Sequence, residues 1–160
     1  MKITIIRHPQ TLHNKSNKLT GWEESKYSDP GKLQFKNILK YLSKNKEKIY
    51  SSDLKRCSDI AKRMKSPKRE IEITKEIRER NFRETEPKKN YETKKDFESR
   101  INTFVKKLKT DSILITHEGV LVYILKKFCK YQFTAADLPR NIIFEIEINE
   151  NSKKLRKITL

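Results

Sequence analysis

At 160 residues the chain is long enough for about one domain, and its 34% of apolar residues contain no run of ~18 that would cross a membrane. The start, MKITIIRHPQ, becomes charged at Arg7 after a short apolar stretch, which does not read as a signal peptide. The 38 basic and 21 acidic residues leave +17, and two cysteines, Cys57 and Cys129, are too few for a disulfide framework and read as reduced thiols of a cytoplasmic protein.

A first strand is expected over Lys2 to Ile6, followed by a polar loop from Gln10 to Ser28 that holds the single tryptophan, Trp22. Asp29–Pro30–Gly31 starts a helix, with Asp29 as cap, Pro30 at the first helical position and Leu33, Ile38, Tyr41 and Leu42 as the apolar stripe. A short strand from Lys48 to Tyr50 leads to a second helix capped by Ser52 or Asp53, with Leu54, Cys57, Ala61 and Met64 on one side. Glu70 to Thr74 alternates as a strand, and Glu76 to Asn90 lacks a period and reads as a loop. A third helix runs from about Thr93 to Lys109 on Phe97, Ile101, Phe104, Val105 and Leu108. Asp111 to Thr116 is a short buried strand, and Val120 to Phe128 a helix apolar almost all round, hence central. Asn141 to Ile148 and Leu155 to Leu160 close the chain as two strands joined at Asn149–Ser152. The alternation predicts one domain over residues 1–160: a three-layer α/β/α sandwich on a mostly parallel sheet of five to six strands.

The positive charge is mostly lysine and is scattered over nearly every polar segment, as on a solvated surface that attracts anions generically. No RNA-binding, zinc-finger or basic-zipper pattern accompanies it, so no specific nucleic-acid partner is expected. Parallel sheets bind ligands at the carboxyl ends of their strands. His8 and His117 each follow a strand there, Arg7 adjoins His8, and Arg56 falls in the first turn of the second helix. Rigid guanidinium forks beside imidazoles and a helix N-terminus suit a tetrahedral, multiply charged oxyanion.

RHPQT with Asn14 resembles the RHGxTxxN signature of the histidine phosphatase superfamily, which includes the phosphoglycerate mutases. Thr20–Gly21–Trp22, Ser28 to Gln34, YSSDLKRCSDIA, EIRERNFRETE and ITHEG are similar to further family segments in the same order. The resemblance implies a phosphate monoester hydrolase, metal-independent and without cofactor, acting on a phosphorylated small molecule through a phosphohistidine. It implies His8 as nucleophile and Glu79 as proton donor. Arg7, Arg56 and His117 would gather the phosphoryl oxygens, with Thr11 and Asn14 adding neutral hydrogen bonds. Gly21, Trp22, Lys88 and Lys89 are candidates for further substrate contacts. Glu76, Glu84 and Glu86 compete with Glu79 for the acid's place.

Pro9, Arg83, Pro87 and Glu118 depart from the family pattern, Pro9 by removing a backbone N–H beside the nucleophile. Fewer than ten residues separate Glu86 from the third helix, a short lid that favours a phosphatase over a phosphoglycerate-type mutase. The rival readings are that mutase, a weakly active phospho-ligand or nucleic-acid binder, and a metal site on His8, His117 and Glu79. Arg7 and Arg56 would repel a cation there.

Overall fold

A computed structural model describes residues 1–82, 84–85, 90–132, 138–150 and 152–160. Its strands are β1 (Lys2–Arg7), β2 (Lys48–Ser52), β3 (Ile71–Thr74), β4 (Ser112–Thr116), β5 (Ile142–Ile148) and β6 (Lys153–Thr159). Its helices are α1 (Leu12–Lys15), α2 (Asp29–Ser43), α3 (Lys55–Arg63), α4 (Lys94–Lys107) and α5 (Glu118–Cys129). The strands form one six-stranded sheet in the order β3-β2-β4-β1-β5-β6. β3, β2, β4 and β1 are mutually parallel, and β5 and β6 add antiparallel.

Period-2 alternation sends successive side chains of each strand to opposite layers. On one face Ile3, Ile5, Leu114, Phe144 and Ile146 pack against Phe97, Ile101 and Phe104 of α4 and Val120, Leu121, Ile124 and Leu125 of α5. On the other, Ile6, Ile49, Ile113, Ile115 and Ile143 pack against Ile38 and Leu42 of α2 and Cys57, Ile60 and Ala61 of α3. Three layers result, as the alternation of elements predicts. Both cysteines are free thiols. Among the described residues no helix is long and apolar enough to cross a membrane.

Local expectations shift in several places. Ser28 rather than Asp29 caps α2, its Oγ accepting from Gly31 N, so Pro30 falls at the second position. Leu33 is 62% exposed; five residues from Ile38 at ~100° per residue leaves it well round the helix from the buried stripe. α3 begins without a side-chain cap, because Asp53 is taken by Arg78 and the cap position falls on Leu54. The loop after β1 contains α1, one turn closed by a capping box between Thr11 and Asn14. α5 is not buried all round: Lys126 and Lys127 face solvent, and Val122 and Tyr123 are half-buried. β6 starts at Lys153, earlier than its apolar pattern suggests.

Candidate active site

Strand register brings the two histidines together. β1 and β4 are adjacent and parallel, with Arg7 opposite Thr116, so the residues that follow, His8 and His117, leave the sheet side by side. His8 N donates to Thr116 O at 2.9 Å and extends the ladder by one bond. The two rings meet edge-on with centroids 5.2 Å apart.

His8 is buried, and its Nδ1 lies 2.7 Å from Pro9 O. A carbonyl can only accept, so Nδ1 carries the proton and the Nε2 lone pair is left available. Burial, with the charges of Arg56, Arg7 and Arg140, holds the ring well below the usual imidazole pKa. It is therefore neutral at pH 7. His117 is fully buried, and its Nε2 is 2.9 Å from Ser52 Oγ. Leu54 N also donates to that hydroxyl, at 3.3 Å. The Cys57 thiol packs at 3.6 Å from His117 Nε2, and burial pushes its pKa up.

Around His8 opens a cleft of ≈ 820 Å³ lined by Arg7, Arg56, Asn14, Glu79, Glu118 and Arg140, among others. Arg7 and Arg56 are 7% and 2% exposed. Each is held by protein acceptors: Arg7 by Leu138 O at 3.0 Å and by the Glu118 carboxylate, Arg56 by Gly21 O at 2.6 Å and Glu23 O at 2.8 Å. The Nε atoms of Arg7, Arg56 and Arg140 are all buried and meet no acceptor among the described residues. Buried N–H groups in native proteins are nearly always paired. These Nε atoms are closed off from solvent, and it is as whole guanidinium groups that the three arginines line one cleft and suit an anion.

Glu79 projects from the segment after β3 into the same cleft. Its Oε1 accepts from Arg80 N at 2.9 Å and its Oε2 from Gly119 N at 3.0 Å. Burial raises its pKa against the opposing pull of those amides and of Arg56 and Arg7. A brace holds it from behind. Trp22 Nε1 donates to Glu79 O at 2.7 Å, and the guanidinium of Arg78 lies 4.5 Å over the indole while gripping both oxygens of Asp53 at 2.6 Å. Of the competing acids, Glu76 pairs with Lys107, Glu84 is exposed, and Glu86 lies outside the described residues.

Gly119 is what lets the carboxylate come so close. A Cβ there would fall inside contact distance of Glu79 Oε1. Gly119→Ala is expected to displace Glu79 while sparing the fold, since the end of a flexible side chain can move. We expect hydrolysis of an alkyl phosphate to drop at least ~10-fold, within the range a general acid supplies, with p-nitrophenyl phosphate little affected. Paired kcat measurements check it; equal losses on both substrates would contradict it.

Asn14 lines the cleft, and its Oδ1 accepts from Thr11 N at 3.1 Å and Thr11 Oγ1 at 2.9 Å, which turns its amide nitrogen outward as a donor. Thr11, Trp22 and His117 are not on the lining: Thr11 is spent on the capping box, Trp22 on the brace, and His117 sits edge-on to His8. Gly21 does line it, at φ 50°, and its carbonyl anchors Arg56. Lys88 and Lys89, with Arg83 and Pro87, lie outside the described residues. Among the described residues no three His, Cys, Asp or Glu side chains form a metal-ligating group.

Sequence reasoning missed Arg140, the partnership of Ser52 with His117, and the Trp22–Arg78–Asp53 brace. Ser52 was legible only as a cap candidate for the second helix; Arg140 carried no local signal.

Comparison with known proteins gives the family and the fold. The family described as the histidine phosphatase superfamily (branch 1) matches residues 3–113. "Phosphoglycerate mutase-like protein 4" of Arabidopsis thaliana is 32% identical over 85 residues, a stretch covering 51% of this chain and 37% of that protein's length. The alpha-ribazole phosphatase from Shigella flexneri superposes with a TM-score of 0.77 at 19% identity, covering 100% of this chain and 96% of its own. A mycobacterial glucosyl-3-phosphoglycerate phosphatase in complex with VO3 gives 0.75 at 16% identity, covering 99% and 98%.

Proposed function

The chain belongs to the histidine phosphatase superfamily, and from that premise we propose that it hydrolyses phosphate monoesters of small molecules through a phosphohistidine on His8, without a metal. The observation that carries the reading is the pair of buried guanidinium groups, Arg7 and Arg56, lining one cleft with a neutral imidazole whose Nδ1–H is already committed to Pro9 O. The donors supply a seat for an oxyanion; the imidazole supplies a lone pair.

In the first half-reaction His8 Nε2 forms a bond to phosphorus as the ester P–O bond breaks. Arg7 and Arg56 take up charge on the equatorial oxygens, and Glu79, whose pKa burial raises, gives its proton to the departing alkoxide. In the second half, ionised Glu79 takes a proton from water as that water's oxygen bonds phosphorus and the P–N bond breaks. Phosphate leaves, and His8 returns to its starting state. Asn14 adds a neutral donor from the wall. His117 meets the His8 ring edge-on and supports the nucleophile's position.

The test is hydrolysis of p-nitrophenyl phosphate with and without excess chelator, together with alkaline quenching and mass spectrometry of the protein. Activity that persists with chelator, and a phosphoryl group on His8 that survives base but not acid, are expected. Loss of activity restored by a divalent ion, or a label on another residue, would overturn the reading.

A further inference from the structure

The phosphoryl seat uses two of the three guanidinium groups in the cleft. The third, Arg140, stands on a wall with Leu138 and Pro139, just before β5. β5 runs antiparallel to β1 with Ile143 opposite Ile6, so its beginning lies beside the end of β1, where Arg7 and His8 emerge. Arg140 is half-buried, and its Nε is shielded from solvent without an acceptor. The carboxylate that acts on it, Glu118, is engaged by Arg7. Burial and the neighbouring Arg7 charge bring its pKa down to about 10. A guanidinium withdrawn from water beside another cation is costly unless an anion joins it.

The cleft is also larger than a phosphoryl group requires. At ≈ 820 Å³ it falls among small-molecule sites, and Leu19, Phe82, Val122 and Leu138 give it apolar wall. Arg140 ranks below Arg56 and Arg7 in its effect on His8, consistent with a place toward the rim.

We infer that Arg140 is a specificity-determining residue that binds a second anionic group, a carboxylate or a second phosphate, on the far end of the substrate whose phosphoryl group meets His8. The inference rests on the phosphatase reading of the site and deepens it. The seat at Arg140 selects small, doubly anionic phosphoesters over singly anionic or neutral-tailed ones.

Three non-hydrolysable ligands of equal chain length separate the possibilities: propylphosphonate, 3-phosphonopropionate and 1,3-propanediyl bisphosphonate. Their Kd values are measured by calorimetry at fixed ionic strength on the wild-type protein, Arg140→Gln, Arg140→Lys and, as a charge control, Lys36→Gln on the outer face of α2. We expect at least one tailed ligand to bind wild type about 10-fold or more tighter than propylphosphonate, the scale of a charge-assisted hydrogen bond. Which tail gains more tells carboxylate from phosphate. Arg140→Gln should erase the gain and leave propylphosphonate within about two-fold, Arg140→Lys should keep part of it, and Lys36→Gln should keep all of it. No gain in wild type, or a gain that Lys36→Gln also removes, overturns the inference. Equal weakening of all three ligands by Arg140→Gln would place Arg140 in the phosphoryl seat and also overturn it. Failure of propylphosphonate and inorganic phosphate to bind at all would instead sink the phosphatase reading, and this inference with it.

Discussion

His8→Ala is expected to lower kcat for every phosphate monoester by on the order of 10³-fold or more, as loss of a covalent nucleophile does, while the protein stays folded. Among the described residues no other nucleophile is placed to take over. Cys57 is buried against His117 with its thiol pKa pushed up, so it supplies no thiolate. His117 has its Nε2 committed to Ser52, is fully buried and does not line the cleft. The fold survives because the bond that anchors this residue, N–H to Thr116 O, is made by backbone and is kept by alanine. His8 is a buried residue at the end of a central strand rather than one at the sheet's edge, so the cost is a small cavity, about 1–2 kcal/mol. Circular dichroism with a thermal melt, read beside single-turnover kinetics, checks both halves. Near-normal kcat in a folded variant would exclude the phosphohistidine route.

Glu79→Gln is the second large effect, and it depends on the leaving group. A poor leaving group such as an alkoxide needs a proton as the P–O bond breaks, and p-nitrophenolate does not. The loss in kcat should be ~10²–10⁴ on an alkyl phosphate and much smaller on p-nitrophenyl phosphate. The pH dependence has a sign. Burial raises the Glu79 pKa, so the protonated form persists above the usual carboxylate range, and the alkyl-phosphate rate should fall as pH rises through the raised value. The His8 pKa is lowered, so loss of the nucleophile on the acid side comes below the usual ~6.5. The Gln variant should lose the alkaline limb and keep the acid one. Parallel Gln variants at Glu76 and Glu84 should show neither effect; a selective loss at Glu84 with Glu79→Gln unaffected would reassign the acid.

The path from sequence to site was short where chemistry and local pattern coincide. A β-branched run ending at Arg7–His8 and an Ile113–Leu114–Ile115 run ending at His117 place two imidazoles at strand ends, because parallel sheets put their loops there. Arg56 in the first turn of α3 follows from the Ser51–Ser52–Asp53 boundary, although the capping side chain was misread. Side-chain partners were less legible. Trp22 could be read as a loop anchor or a substrate contact, and only its bond to Glu79 O decides for the anchor. Asp53 could cap a helix by local rules, but the bidentate grip of Arg78, 25 residues away, takes it instead.

What the amino-acid order determined by itself is the set of elements, the layers they build and the residue types at the carboxyl ends of β1, β2 and β4, since hydrophobic period and turn chemistry act over a few residues. Tertiary structure alone decided which of those ends are neighbours and what faces what across the cleft. Placing β4 between β2 and β1 sets His117 between Ser52 and His8. Adding β5 antiparallel beside β1 carries Arg140 to the cleft, from a position with no local mark of function. Strand order and register come from long-range pairing and from burial of both faces of the sheet, and no window of neighbouring residues contains that information.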